Sequence, residues 1–118
     1  MIKEIENHSG YVASDQGLIF RKTKDGLREL KPSTVGKYPV VQLGRRTYYV
    51  HRIIANMFVF NDDPVGRPLI FHIDGDPSNN SSSNLIWLSR KEISICSAWL
   101  PEYRVHNLRQ RASYHSII

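Results

Sequence analysis

The chain has one cysteine, Cys96, in 118 residues. A single thiol excludes an internal disulfide, and without a Cys pair there is no start for a structural zinc site of the Cys-x-x-Cys kind. No apolar run approaches the roughly 20 residues needed to span a bilayer. The first residues, Met1-Ile2-Lys3-Glu4-Ile5-Glu6, carry acids where a signal peptide needs a basic start and an apolar stretch. An intracellular, cytoplasmic protein with no membrane partner is therefore expected. Acidic residues are also the minority, 11 against 16 Lys and Arg, for a net charge of +5. That balance favours an anionic partner.

The composition that remains is globular. Apolar residues make up 41% and charged residues 23%, with six Tyr, four Phe and two Trp. This length suits one ordinary domain with a core of its own. Low-complexity sequence is confined to the Asn and Ser run from Asn79 to Asn84, which reads as a loop.

Turn signals come early and often, at Ser9-Gly10, Asp15-Gln16-Gly17, Asp25-Gly26, Gly36 and Gly44. Between them Tyr11 to Ser14, Leu18 to Arg21, Tyr38 to Leu43 and Thr47 to Val50 are rich in β-branched and aromatic residues. Residues 1–50 thus read as a small antiparallel sheet, which holds nine of the 16 basic residues. Ile53, Ile54, Met57 and Phe58 then follow at helical spacing, so His51 to Phe58 reads as a short helix on that sheet, closed by Asn61-Asp62-Asp63-Pro64. Leu69 to Ile73 reads as a strand, Asp74 to Asn84 as a loop and Leu85 to Leu88 as a returning strand. Ser89 and Glu92 have the S-x-x-E form of a capping box and open a helix from about Arg90 to Leu100, stopped by Pro101. The segment 101–118, with Arg104, Arg109 and Arg111, reads as a second helix or as a basic arm that orders on a partner. The expected class is α+β: an N-terminal sheet region (1–50), a strand-loop-strand-helix unit with its preceding helix (51–100), and a basic tail (101–118).

That unit concentrates the chemistry. His72 ends the first strand, Asn84 leads into the second, and the helix packs across both. Such a unit can gather an imidazole, a carboxamide and a helix side chain, and a neutral His can take a proton from water attacking a phosphodiester. His72-Ile73-Asp74-Gly75, then Asn79-Asn80, Asn84-Leu85 and Trp87, resembles the HNH motif of phage and intron homing endonucleases with a ββα-metal site. Tyr49-Val50-His51-Arg52-Ile53-Ile54-Ala55 with Phe58 is similar to the segment that precedes the motif in that family. Gly10-Tyr11, Ser14, Gly17 and Leu30-Lys31 resemble its amino-terminal DNA-binding element.

The resemblance implies a phage-type nuclease that nicks or breaks double-stranded DNA with a divalent cation, Mg2+ or Mn2+, in the host cytoplasm if phage-encoded. It gives His72 the role of general base and Asn84 that of fixing the loop and orienting the His. Two departures stand out. Phe71 occupies the position before the base, where Asp or Asn often binds the metal, and Ile93 occupies the helix position that usually supplies a second ligand. Asp74 and Asp76 are near enough to substitute as metal ligands, although Asp74-Gly75 also reads as a turn in which the carboxylate bonds nearby backbone. Arg21, Lys22, Arg45 and Arg46 are the candidate DNA contacts, since a two-stranded ribbon can enter the major groove while Lys and Arg meet phosphates. His51 is expected to bond between helix and sheet, outside catalysis, and Asn79 and Asn80 to shape the loop. Phe71 and Ile93 favour the rival reading, an HNH scaffold that binds DNA or a host protein without cutting. A basic structural or adaptor protein is a third reading.

Overall fold

The computed structural model describes residues 1–98. Twelve short elements follow in order. The strands β1 (Ile2–Glu4), β2 (Tyr11–Ser14), β3 (Ile19–Thr23) and β4 (Gly26–Glu29) form an antiparallel meander. A second meander comprises β5 (Ser33–Val35), β6 (Tyr38–Leu43) and β7 (Arg46–Tyr49). Then come α1 (Val50–Phe58), the strand β8 (Leu69–His72), a 3-10 turn (Ser82–Asn84), β9 (Leu85–Leu88) and α2 (Arg90–Ala98). The architecture is α+β with antiparallel sheets. The last turn expected for the second helix, Trp99 and the basic tail all lie outside the described residues.

The single sheet expected over residues 1–50 is divided in two. Pro32 stands in the gap between β4 and β5, where its missing N–H and fixed φ interrupt a ladder. The three strands not foreseen, β1, β4 and β5, are exposed along their whole length. They have no buried face to imprint an alternation on the sequence.

One core runs through all of this. Ile5 just after β1, Ala13 and Ile19 from the first sheet, Val41 and Leu43 from the second, Ile53 and Ile54 from α1, and Leu85 from β9 pack as one cluster. Helix α1 has no side-chain N-cap hydrogen bond. It is held instead by its apolar face, where burial of a side chain such as Ile54 is worth about 1.5–3 kcal/mol. Trp87 Nε1 donates to the Val59 carbonyl at 3.0 Å and so ties β9 to the end of α1.

A second, smaller cluster lies under α2, with Ile73, Ile86, Leu88 and Cys96 buried together. Here the expected capping box is complete: Glu92 N–H donates to Ser89 Oγ at 3.1 Å and Ser89 N–H to Glu92 Oε1 at 3.0 Å. The same Glu92 oxygen receives Arg67 Nε at 2.9 Å, and the Arg67 guanidinium also lies 3.6 Å from Asp62. This pairing raises the Arg67 pKa, chiefly through the Glu92 hydrogen bond. Among the described residues no helix is long and apolar enough to cross a membrane.

Candidate active site

Strands β8 and β9 pair antiparallel, with His72 opposite Leu85. At that point the chain leaves β8, makes the loop 73–81 and returns, so the loop is closed on itself across the hairpin mouth. Ile73 N–H donates to the Asn84 carbonyl at 2.8 Å, and Gly75 N–H to the His72 carbonyl at 3.0 Å.

His72 is buried, and its Nε2 lies 2.7 Å from Asn80 Oδ1. A carboxamide oxygen accepts only, so Nε2 donates to it, and in the neutral ring Nδ1 is then the atom with the lone pair. That is the tautomer a proton acceptor needs, with the ring orientation fixed from its far side.

Asn84, also buried, holds the loop. Its Nδ2 donates to Asp74 Oδ1 at 2.9 Å and to the Asn79 carbonyl at 2.9 Å, while its Oδ1 accepts from Asp74 N–H at 3.1 Å. The side chain bonded to His72 is Asn80, whereas Asn84, expected to fix the loop and to orient the His, makes its side-chain bonds to the loop. A bond made by the loop folding back on the strand leaves no signature in residue spacing.

Asp74 and Asp76 are committed to the same loop. Asp74 accepts from Asn79 Nδ2 at 2.8 Å and from Asp76 N–H at 2.8 Å as well as from Asn84. Asp76 Oδ1 accepts from Ser78 N–H at 3.0 Å and Ser78 Oγ at 2.6 Å. Burial pushes the Asp74 carboxyl up, but the bonds from Asn79, Asp76 and Asn84, with His72 nearby, together hold it below the usual range. The Ser78 bonds lower Asp76 likewise.

The cation side of the site is different in kind. Phe71 and Ile93, at the two positions the resemblance assigns to ligands, pack against the apolar cluster of Ile73, Ile86, Leu88 and Cys96. Neither has a donor atom for a hard cation. No group of three or more His, Cys, Asp or Glu placed to hold a metal exists among the described residues. The side chains at positions 71 and 93 do not fit Mg2+ or Mn2+, and the expected substitutes, Asp74 and Asp76, are engaged in the loop's own hydrogen bonds.

Sequence reasoning placed His51 away from the chemistry; the fold sets it against His72. Their ring centroids are 5.2 Å apart in an edge-to-face pair, and Tyr38 and Tyr49 complete the ring cluster at 5.4 and 5.3 Å from His51. His51 Nδ1 is buried without a hydrogen-bond partner. Burial first, then the proximity of His72 and of Arg52, lower its pKa to about 4. His51 is a neutral imidazole at neutral pH. Its position as the second residue of α1, next to the end of β7, is what delivers it, and only the order of strand and helix hinted at that.

The four expected DNA contacts occupy two sheets. Arg21 and Lys22 are exposed on β3, where Lys22 Nζ pairs with Glu4 Oε2 at 2.6 Å. Arg45 and Arg46 are exposed at the β6–β7 turn of the second sheet.

Comparison with known proteins bears on this arrangement. Residues 48–94, from the end of β7 through the first part of α2, match a family model described as HNH endonuclease. Over this segment the chain is similar to the HNH endonuclease family. The HNH segment holds His72, Asn80, Asn84 and both departing positions. The uncharacterized HNH endonuclease L247 of Acanthamoeba polyphaga mimivirus is 31% identical over 93 residues, which are 75% of this chain and 23% of that protein. The uncharacterized HNH endonuclease L245 of the same virus is 24% identical over 117 residues, 96% of this chain and 32% of that protein. The chain thus spans between about a quarter and a third of the curated relatives it matches. Among solved structures, that reported for DNA binding and cleavage by the HNH homing endonuclease I-HmuI superimposes with a TM-score of 0.62 at 25% identity. The match covers 88% of this chain and 64% of that one. The likeness extends beyond the HNH segment into the N-terminal sheets.

Proposed function

We propose that the chain is a DNA-directed module of the HNH nuclease type, in which His72 accepts the proton of a water attacking a phosphodiester. The observation behind this reading is the 2.7 Å bond from His72 Nε2 to Asn80 Oδ1, which leaves Nδ1 as the basic atom. In the step, a water O–H proton passes to Nδ1 as the oxygen bonds to phosphorus. The bond from phosphorus to the sugar oxygen breaks, and that oxygen takes a proton from solvent. The product is a nick in one strand of duplex DNA. Arg21 and Arg45 with Arg46 meet phosphates, which position the protein without reading sequence. The match of residues 48–94 to the HNH endonuclease model and the likeness to a structure reported for DNA binding and cleavage support the reading.

Because Phe71 and Ile93 replace oxygen and nitrogen donors, charge developing on the phosphate lacks the stabilisation a cation gives, normally worth several kcal/mol. Cleavage by the described residues is therefore slow. The same two residues favour a second reading, in which the module binds DNA without cutting it. Incubation of supercoiled DNA with the protein and with His72→Ala, in Mg2+ or Mn2+, separates the two. Slow nicking by the wild type and none by His72→Ala supports the first reading. Equal nicking by both, or none by either, removes it. DNA binding whose log K falls by roughly 0.9 per neutralised phosphate for each log unit of salt then sustains the second.

A further inference from the structure

The loop that holds Asn80 is buttressed from outside the HNH segment. The β2–β3 turn of the first sheet, Asp15-Gln16-Gly17, closes through Gly17 N–H donating to the Ser14 carbonyl at 2.9 Å, and its Asp15 carbonyl accepts from Ser82 N–H at 2.8 Å. At Gly17 the backbone has φ +91°, a conformation that L side chains rarely adopt. A Cβ there would stand 2.7 Å from both the carbonyl carbon and oxygen of Asn80 and 3.0 Å from Ser81 N. These neighbours are backbone atoms of the residue whose side chain is the partner of His72 and of the residue after it, and both Asn80 and His72 are buried. The push cannot be absorbed by a flexible side-chain tip.

We infer that the β2–β3 turn is a positioning part of the His72 site, with Gly17 and the Asp15 carbonyl setting where Asn80 stands and hence which nitrogen of His72 carries the proton. The inference deepens the reading of His72 as proton acceptor and rests on it. Its consequence is that the sheet bearing Arg21 and Lys22 belongs to the machinery of the loop: β3 begins two residues after Gly17. A DNA phosphate bound on that strand acts on an element in direct contact with the Asn80 backbone.

The test uses the whole chain and needs no cleavage. Long-range 1H–15N spectra of the His72 ring report its tautomer. The wild type is expected to show the single Nε2-protonated form; a mixture there would overturn both the inference and the reading of His72. Gly17→Ala is expected to lose the single form, with the ring exchanging between tautomers. Gly10→Ala is the control: its φ of +90° imposes the same backbone strain, but nothing lies within 4 Å of the added carbon. It is expected to match the wild type, and equal loss in both variants would overturn the inference. If Gly17→Ala does not fold, Ser82→Pro decides. Ser81 already has the extended backbone, φ −59° and ψ 139°, that a following proline requires, so the change removes the N–H that Asp15 accepts and sets the ring against the Asp15 carbonyl, forcing the turn away from the loop. A folded Gly17→Ala or Ser82→Pro that keeps the wild-type His72 signals, beside a wild type that shows the single tautomer, would overturn the inference and leave the reading of His72 standing.

Discussion

The two sides of the β8–β9 hairpin mouth are held by opposite means. On the loop side, from His72 to Asn84, nearly every polar group is spent on another: Asn84 on Asp74 and Asn79, Asp76 on Ser78, Asn80 on His72. On the helix side, Phe71 and Ile93 close over Ile73, Ile86, Leu88 and Cys96 without contributing a ligand atom. The hydrogen-bonded side has the strict geometry that a general base requires. The apolar side requires only burial, and burial tolerates the loss of donors that coordination does not. A fold can therefore keep the posture of its base while the position of its cation becomes part of a core.

Changes aimed at either side sharpen that contrast. Asn84→Ala strikes the polar side hardest, because it removes at once the bonds to the Asp74 carboxylate, the Asn79 carbonyl and the Asp74 N–H. Urea unfolding is expected to show a loss of about 2–4 kcal/mol, against less than about 1.5 kcal/mol for the volume-conserving Ile93→Leu on the apolar side. A smaller loss for Asn84→Ala than for Ile93→Leu would reverse the comparison.

His51 allows a test by pH. Its pKa is lowered to about 4 in the folded chain, so the unfolded chain takes up the proton first as pH falls. The stability that its neutrality contributes is whole above about 6.5, the ordinary value, and is lost as pH drops towards about 4. Thermal melts between those values should show a falling Tm in the wild type and a flatter course in His51→Leu, which also removes the unpartnered buried Nδ1. Parallel curves would mean that His51 does not titrate in this environment.

Ser89→Ala removes one half of the capping box and is expected to cost about 1 kcal/mol, with α2 and the packing of Ile93 loosened together and the loop unaffected. Amide exchange that rises over residues 90–96 and not over 73–84 is the pattern that fits. The smallest effect on stability is expected from Arg45→Ala with Arg46→Ala, both exposed. Their effect should fall on DNA affinity alone, with the salt slope reduced by roughly 0.9 for each phosphate no longer neutralised.

Much of the fold was legible because its signals are local. The β-branched runs at Tyr11 to Ser14 and Tyr38 to Leu43, the helical spacing of Ile53, Ile54, Met57 and Phe58, and the Ser89–Glu92 box each declare an element within a few residues. Strands β1, β4 and β5 were silent because all their residues face solvent. The division of the first fifty residues into two sheets falls at Pro32, a single residue among many turn signals. In the site, His72 and the two absent donors at Phe71 and Ile93 could be named from motif order alone. The partners of His72 could not. Asn80 reaches it across a loop, His51 reaches it from another element, and Gly17 reaches the Asn80 backbone from another sheet. Such neighbours exist only once the chain has folded.

If His72 is the base proposed, the base side of the site is in place and the apolar side limits the chemistry. Phe71→Asp with Ile93→Asn, measured for nicking of supercoiled DNA in Mg2+ beside the same variant carrying His72→Ala, tests this directly. The prediction is a rise of about 100-fold or more over the wild type, from the charge stabilisation a bound cation supplies, and its abolition by His72→Ala. A folded double variant that nicks no faster than the wild type, or whose nicking survives loss of His72, would contradict it.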